Sequence, residues 1–159
     1  MPITNVKKMR RSPGFLLRCA HQFSQAIVAE HFTPLNITAI QFASLVAIND
    51  LPGLDATRLA ALINYDRPTM TGVIDRLEAK GLVMREVAPS DRRARLLFIT
   101  PEGLRVLAQA DQAAHQSRDA LLGSLSPDER RQFMHLLEKL VELHMSRDAH
   151  GEQMAVNGK

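Results

Sequence analysis

The chain has 159 residues, a length typical of one domain, and 45% of them are hydrophobic, which excludes a disordered protein. Its net charge is only +3, so a nucleic-acid partner has to be argued from the placement of the basic residues. The single cysteine excludes an internal disulfide, and no signal peptide or membrane span is evident, so we expect a cytoplasmic protein.

A basic arm and a long helix with two apolar faces open the chain. Residues 1–12 form the arm, and Ser12-Pro13-Gly14 is a typical start for a helix of roughly 18 residues. One apolar stripe begins at Phe15 and a second at Leu17. A helix with two apolar faces needs two neighbours, so a second subunit or a ligand cavity is expected beside it.

Three further helices are predicted between residues 34 and 81. Pro34 breaks the chain, and Thr38 caps a helix that ends at Asn49–Gly53. A shorter helix and a tight turn follow, because Asn64 tolerates the left-handed backbone that such a turn needs. Asp55 caps that shorter helix, whose inward side chains are Leu59, Ala60, Leu62 and Ile63. The third helix begins at Asp66-Arg67-Pro68 and ends at Gly81.

A β-hairpin with a basic tip follows these helices. Its strands are predicted at Leu82–Val87 and Leu96–Thr100, joined by a turn through Ala88-Pro89-Ser90-Asp91. Two helices, a turn and such a hairpin make a winged helix-turn-helix, which places one helix in a DNA groove.

The exposed part of the third helix and the tip of the hairpin are the predicted DNA contacts. Val73, Ile74 and Leu77 repeat at helical spacing and should face the core. Arginines on a hairpin tip suit phosphate or minor-groove contact, although one of them could instead brace Asp91. Arg76 could contact phosphate or pair with Asp75 or Asp91. The predicted DNA-binding residues are Arg67, Thr69, Met70, Thr71, Arg76, Arg92, Arg93 and Arg95.

Two helices and a polar tail complete the chain. The first runs from Gly103 to about Gly123, and its apolar register is set by Leu104, Leu107, Ala114, Leu121 and Leu125. Asp111, His115 and Arg118 interrupt that register, and an ion-pair cluster between subunits explains them better than a ligand role does. Ser126-Pro127-Asp128-Glu129 begins the last helix with a capping box. Its apolar stripe suits a dimer interface, and residues 147–159 should form a flexible tail.

These motifs resemble the MarR family of regulators. Asp91-Arg92-Arg93 followed by Ile99-Thr100-Pro101-Glu102-Gly103 is similar to the family's DxR…LTxxG signature, and residues 66–71 and 74–83 are similar to its recognition helix. The resemblance, from about Phe15 to Ser146, implies a mainly α single domain (1–159) with a small β-hairpin wing. Its winged helix-turn-helix (38–100) would lie between dimerisation helices at 13–32 and 101–146.

Gly72 departs from the family pattern. Family members often carry arginine or another long polar residue there. A glycine lets the backbone approach DNA more closely but removes a possible base contact, so the family's base-reading pattern does not carry over intact.

The resemblance also implies an effector site. MarR-like proteins commonly bind small aromatic acids in a cleft between the dimer helices and the winged domain. The matching segments here are the first helix, the second helix and the loop around Tyr65. They offer Arg18, His21, Gln22, Gln25, Gln41, Ser44 and Tyr65. Arg18 and His21 suit a carboxylate, although a core or interface role explains His21 equally well.

The predicted function is that of a ligand-responsive transcriptional regulator. It would be a homodimeric repressor that a small aromatic or pyridine carboxylic acid releases from a near-palindromic operator. The chain as a whole also resembles regulators of nicotinate (pyridine carboxylate) breakdown. Two alternatives stay open: a redox-sensing repressor acting through Cys19, and a winged-helix interaction module without specific DNA binding. No catalytic motif, cofactor motif or metal-ligand spacing is present, so neither an enzyme nor a bound cofactor is expected.

Overall fold

The structure, a computed structural model, describes the backbone of residues 5–89 and 91–156 and the side chains within 5–89 and 94–142. Its elements are α1 (Val6–Arg10), α2 (Pro13–Phe32), a 3-10 turn (Thr33–Leu35), α3 (Ala39–Asp50), α4 (Ala56–Leu62), α5 (Arg67–Ala79), β1 (Val83–Ala88), β2 (Asp91–Ile99), α6 (Pro101–Leu122) and α7 (Pro127–Val156). The described residues group into two compact units that divide between Leu121 and Leu122. The predicted mainly α fold with a two-stranded hairpin is confirmed.

The core of the first unit lies where α3, α4, α5 and the hairpin meet. Its fully buried side chains come from each of these elements: Leu45, Ile48, Leu59, Met70, Ile74, Leu77 and Leu97. Each such side chain contributes roughly 1.5–3 kcal/mol by leaving water. The hairpin therefore shares one hydrophobic core with the helices.

The predicted helix boundaries are confirmed where a local hydrogen bond sets them. The Ser12 hydroxyl accepts from the Phe15 amide at 3.4 Å, and Thr38 forms a capping box with Gln41. Asn64 and Gly81 have φ values of 56° and 68°, in the left-handed region where asparagine and glycine are preferred. These local bonds and left-handed residues therefore set where the helices up to α5 begin and end.

Two predictions about the winged region are wrong. Leu62 is 52% exposed and not inward, since Leu59 and Ala60 supply the buried side of the short α4. The second strand begins at Asp91 and not at Leu96, because pairing with β1 continues to Ala88 opposite Asp91 after a register shift. The arginines predicted for the hairpin tip therefore lie along β2.

The base of the hairpin is pinned to the helical part of the unit. Beyond its pairing with β1, Leu97 accepts a hydrogen bond from the Gly53 amide at 2.9 Å and donates one to the Leu54 carbonyl at 2.8 Å. Leu97 and Val83 are also buried. The hairpin is thus fixed at its root, the part of the two strands around Val83 and Leu97.

Helix α6 buries a different face from the one predicted. Val106, Ala110, Ala113 and Ser117 are buried, whereas Leu104 and Leu121 are exposed. Small side chains line the buried face and permit close packing. The polar residues that were predicted to form an inter-subunit cluster pair along the helix: His115 lies 3.6 Å from Asp111, and Arg118 lies 3.3 Å from Asp119.

The second unit begins at Leu122 and consists chiefly of α7. The predicted capping box is present, because the Ser126 amide donates to Glu129 at 2.8 Å and the Glu129 amide donates to the Ser126 hydroxyl at 3.3 Å. These bonds lower the pKa of Glu129. The helix continues to Val156, past Arg147, where a flexible tail was predicted. Five of its described apolar side chains are exposed in the single chain: Phe133, Met134, Leu136, Leu140 and Val141.

No single helix among the described residues has the length and apolar composition to cross a membrane. The segments Pro13–Leu35 and Ala39–Asp50 together pass that test, but they are bent by 68° at their break.

Candidate nucleic-acid interface

Helix α5 has a buried face and an exposed face along its whole length. Met70, Val73, Ile74 and Leu77 are buried and recur at i, i+3, i+4 and i+7. The opposite side carries Pro68, Gly72, Asp75 and Ala79. This second face is open to solvent and suits contact with a groove of DNA.

Met70 cannot contact DNA from its position. Its side chain is fully buried, and its sulfur lies 3.7 Å from the Ser44 hydroxyl oxygen. The prediction that Met70 reads DNA is therefore wrong. Arg67, Thr71 and Arg76, by contrast, are exposed, and the Thr71 hydroxyl donates to the Arg67 carbonyl at 3.0 Å.

Asp66 and Thr69 build the start of α5. The Asp66 carboxylate accepts from the Thr69 amide at 2.8 Å and from the Thr69 hydroxyl at 2.6 Å. The hydroxyl bond, followed by the amide bond, holds the pKa of Asp66 below its usual value of 3.8. Thr69 is exposed, but its hydroxyl proton is used in the cap, so it can offer only an acceptor or its methyl group to DNA.

We expect the cap to make the stability of the protein depend on pH in acid. Because the pKa of Asp66 is lowered by folding, its contribution is complete above about pH 4 and is lost as the pH falls through the lower folded value. Thermal unfolding at pH 7 and pH 3 would measure this dependence of stability on pH. Asp66→Asn, which caps without titrating, should reduce the difference in Tm between the two pH values. An unchanged difference would show that Asp66 does not carry this dependence.

Arg85 links the hairpin to α5. From β1, its Nη1 lies 2.5 Å from Glu78 Oε2 and its Nη2 lies 2.5 Å from Asp75 Oδ1. Its side chain is 25% exposed, so the pairs are partly shielded from water. Asp75 is thus bound by Arg85, and its predicted pairing with Arg76 is wrong. Sequence reasoning missed Arg85 because only the packing of β1 against α5 brings the three residues together.

The predicted hairpin arginines are only partly within the described residues. Arg95 lies on β2 opposite Val87, is exposed, and its Nη1 is 3.5 Å from the Ala94 carbonyl oxygen. The side chains of Arg92 and Arg93 lie outside the described part of the chain. Their proposed phosphate contacts therefore stay predictions.

Lys80 joins three elements at the other end of α5. As the C-cap residue of that helix, it donates from Nζ to the Asn36 carbonyl oxygen and to Gln41 Oε1, the latter at 3.2 Å. Asn36 ends the turn after α2, and Gln41 lies in the capping box of α3. One ammonium group thus connects the end of α5 with the junction between α2 and α3.

Two predicted effector ligands are occupied inside the fold. Gln41 is buried and accepts from both Thr38 and Lys80. Ser44 is fully buried and donates to the Ile40 carbonyl at 2.7 Å. Their assignment to a ligand cavity is corrected, because capping and helix back-bonding account for both polar groups.

The other predicted effector ligands are exposed. Arg18, His21, Gln22 and Gln25 lie on one face of α2, where Arg18 donates to Gln22 at 3.1 Å, and Tyr65 precedes α5. The structure therefore brings together the four α2 residues but does not place them with Gln41 and Ser44.

Two open grooves flank α6. One, of about 390 Å³, is lined by Phe42, Val46, Asn49, Asp50, Leu104, Leu107, Ala108 and Asp111. The other, of about 490 Å³, is lined by Glu30, His31, Pro34, Leu35, Gln109, Gln112, Ala113 and Gln116. Neither groove includes any of the seven predicted effector ligands. Nor do the described side chains contain a group of three or more His, Cys, Asp or Glu residues able to hold a metal ion.

Comparisons with known proteins agree with this geometry. A sequence model of the MarR family matches residues 37–94, which span α3 to the hairpin. The chain is 32% identical over 129 residues to the HTH-type transcriptional repressor NicR of Pseudomonas putida, with 81% of this chain and 82% of that protein covered.

Two solved structures share the fold. BpsR of Bordetella bronchiseptica, determined to explain how 6-hydroxynicotinic acid regulates its DNA binding, superposes with a TM-score of 0.78 at 32% identity over 83% of this chain and 94% of that one. The repressor CouR, bound to a 23-mer DNA duplex, superposes with a TM-score of 0.80 at 27% identity over 88% of this chain and 99% of that one.

Proposed function

The chain belongs to the MarR family of DNA-binding transcriptional regulators, which are not enzymes, and from this premise we propose that it is a homodimeric repressor. A small aromatic or pyridine carboxylic acid would release it from a near-palindromic operator. The proposal that the protein binds DNA rests on one observation: α5 has an unburied face, and it lies beside a hairpin that Arg85 links to it.

Exposed apolar side chains support the dimer. On α2, Leu16, Leu17 and Phe23 are exposed, and α7 exposes Phe133 and Leu136. Exposed apolar side chains clustered on one helix commonly mark an interface, and each of these helices carries such a set. A two-fold dimer would set two α5 helices about one helical turn of DNA apart, or a multiple of it, and would therefore select a near-palindrome.

The effector class rests on the relatives and on the exposed face of α2. BpsR responds to 6-hydroxynicotinic acid, a pyridine carboxylic acid. Arg18 is exposed here and lies 4.9 Å from the centre of the Phe15 ring. A guanidinium beside an aromatic ring offers charge to a carboxylate and an apolar surface to a ring. We place the effector near Arg18, His21, Gln22 and Gln25, with Tyr65 as a further candidate.

Fluorescence anisotropy tests the proposal directly. Labelled duplex from upstream of the protein's own gene is titrated at two salt concentrations against a scrambled competitor, and benzoate, nicotinate and 6-hydroxynicotinate are then added. Tight, competitor-resistant binding that an acid releases is the expected result. Binding that no acid disturbs would remove the effector class and make oxidation of Cys19 the next trigger to test. If selection from a genomic library also found no preferred sequence, specific DNA binding itself would be refuted and the interaction-module alternative favoured.

Arg95→Ala should weaken operator binding and flatten its salt dependence. Each lost phosphate contact lowers the slope of log K against log salt by about 0.9. The same titration measures both quantities. If affinity and slope match the wild type, Arg95 does not contact DNA.

Arg18→Ala should leave operator binding intact and remove release by the acid. Arg18 lies on α2, on a different element from the proposed DNA contacts of α5 and β2. Arg105→Ala, which removes an exposed arginine paired with Glu102 on α6, is the matched control and should leave release unchanged. Release of Arg18→Ala at an unchanged acid concentration would make Arg18 a structural residue.

A further inference from the structure

Gly72 occupies the middle of the exposed face of α5. Each helical residue advances by about 100°, so Gly72 lies nearly opposite the buried face formed by Met70, Val73, Ile74 and Leu77. With Pro68, Asp75 and Ala79 it belongs to the side of α5 that would face the floor of a DNA groove, and it lies near the middle of that side along the helix. The absence of a side chain there leaves the middle of this face without a group of its own.

The Arg76 guanidinium covers that position. Side chains on a helix lean toward its N-terminus, so Arg76 extends over the preceding turn. A Cβ atom on Gly72 would lie 3.5 Å from Arg76 Nη1 and 3.9 Å from Nη2. The tip of Arg76 is therefore carried from the flank of α5 to the middle of its exposed face.

The fold itself does not require glycine at position 72. Contacts of 3.5 Å and 3.9 Å are ordinary van der Waals distances, and the residue lies in helical backbone. A glycine inside a helix costs stability relative to alanine. Glycine is thus less favourable for the helix here than alanine would be, and the atoms nearest to the position are those of Arg76.

The nearby carboxylates do not hold Arg76. Asp75 and Glu78 point to the other flank of α5, where both are bound by Arg85. Within the described part of the chain, the Arg76 guanidinium has no carboxylate partner. No described carboxylate therefore competes for its N–H groups with an acceptor outside the protein.

We infer that Gly72 and Arg76 together read one base. The missing side chain of Gly72 leaves a space, here called the seat, over which the Arg76 guanidinium lies, and that guanidinium reads a guanine in the major groove. Guanine presents two acceptors there, O6 and N7, which match two N–H groups of one guanidinium. The inference rests on the proposed DNA-binding function and adds the chemistry of one operator position. Each half-site contains a guanine that Arg76 recognises at the closest approach of α5.

Chemical substitution of the operator tests the contact. An operator is first obtained by selection from random duplexes, and each guanine is then replaced in turn by 7-deazaguanine, which pairs normally but lacks N7. One guanine in each half-site should matter, with binding of the wild type weakened roughly tenfold. The same replacement should have little effect on Arg76→Ala, because the contact has already been removed.

Variants of Gly72 test the seat. Gly72→Ala should keep the preference for guanine over 7-deazaguanine, since its Cβ fits at 3.5 Å from Nη1. Gly72→Leu fills the seat and should lose that preference although Arg76 remains. The ratio of the two affinities is the readout, so a general loss of affinity does not affect it, and circular dichroism verifies that each variant is folded.

Three results would overturn the inference. Equal sensitivity of wild type and Arg76→Ala to every 7-deazaguanine would assign the guanine contact to another residue. A uniform loss across sequences in Arg76→Ala, with a salt slope reduced by about 0.9, would make Arg76 a phosphate contact. If Gly72→Leu still prefers guanine over 7-deazaguanine, the space at Gly72 is not needed for the contact. Failure of the wild type to select any sequence is a separate outcome, which refutes the proposed function and this inference with it.

Discussion

Replacing Gly103 with alanine should lower the free energy of unfolding by about 3 kcal/mol, near the upper end of what overpacking usually costs. An added Cβ would approach the Leu82 carbonyl oxygen far more closely than the sum of their van der Waals radii and would lie 2.7 Å from Ile99 Cγ1. The Leu82 carbonyl cannot move away easily, because it accepts the Thr100 amide at 3.0 Å. The final glycine of the signature is therefore required by the close packing of α6 on the segment that leads into the hairpin.

Thermal unfolding is the measurement, and a fall in Tm of roughly 10 °C is expected for a chain of this size. Gly14→Ala is the matched control, because its added Cβ meets no atom within 4 Å. Equal melting temperatures for the two variants would contradict the steric explanation.

Replacing Arg85 with alanine should weaken operator binding on the order of tenfold to a hundredfold while changing stability little. The substitution releases β1 from α5, and it leaves the carboxylates of Asp75 and Glu78 without their counter-charge on the helix that faces DNA. Both effects disfavour the binding of DNA, which is a polyanion. The stability effect is small because exposed and partly exposed ion pairs contribute at most about 1 kcal/mol.

The two effects of Arg85 can be separated. The triple variant Arg85→Ala, Asp75→Asn, Glu78→Gln removes the repulsion between the two carboxylates and DNA, but it does not restore the link between β1 and α5. It should therefore recover only part of the affinity for the operator. Arg118→Ala is the matched control: its arginine pairs with Asp119 at 3.3 Å, about 25 Å along α6 from Pro101. Wild-type affinity in Arg85→Ala would show that the link is dispensable for DNA binding.

Much of the fold was predictable because its determinants are local. Ser12, Thr38, Asp55 and Asp66 each accept a hydrogen bond from an amide two or three residues later. Such bonds depend on residue type and spacing alone. The same holds for Asn64, whose left-handed backbone ends the turn between α4 and α5.

The wrong site residues have a common physical cause. Met70, Gln41 and Ser44 lie on helices whose exposed side was inferred from residue type, whereas burial depends on the direction from which neighbouring elements pack. For Met70 the sequence did contain the signal, because positions 70, 73, 74 and 77 follow the i, i+3, i+4, i+7 pattern of one face. For Gln41 it also did, because Thr38 and Gln41 have the spacing of a capping box. For Ser44 it did not, since a bond to the Ile40 carbonyl satisfies its hydroxyl in the interior.

The link through Arg85 could not be predicted at all. Asp75 and Glu78 are ten and seven residues away from it, and they meet it only because β1 returns along α5. A sequence pattern gives the faces of one helix but not the register between a helix and a strand. The pairing of the two strands could not be predicted for the same reason, and β2 begins at Asp91, earlier than the sequence pattern indicates.

The local stability of the hairpin should fall from Leu97, which is buried and bonded to Gly53 and Leu54, towards Arg95, which is exposed. An isolated two-stranded hairpin is only marginally stable in water. Amide protons near Leu97 can therefore exchange with solvent only when the core opens, whereas those near Arg95 exchange through fraying that leaves the core intact. If the hairpin contacts DNA near Arg95 as proposed, suppressing this fraying would add an entropic cost to binding, whereas the strands around Leu97 are already held by the core.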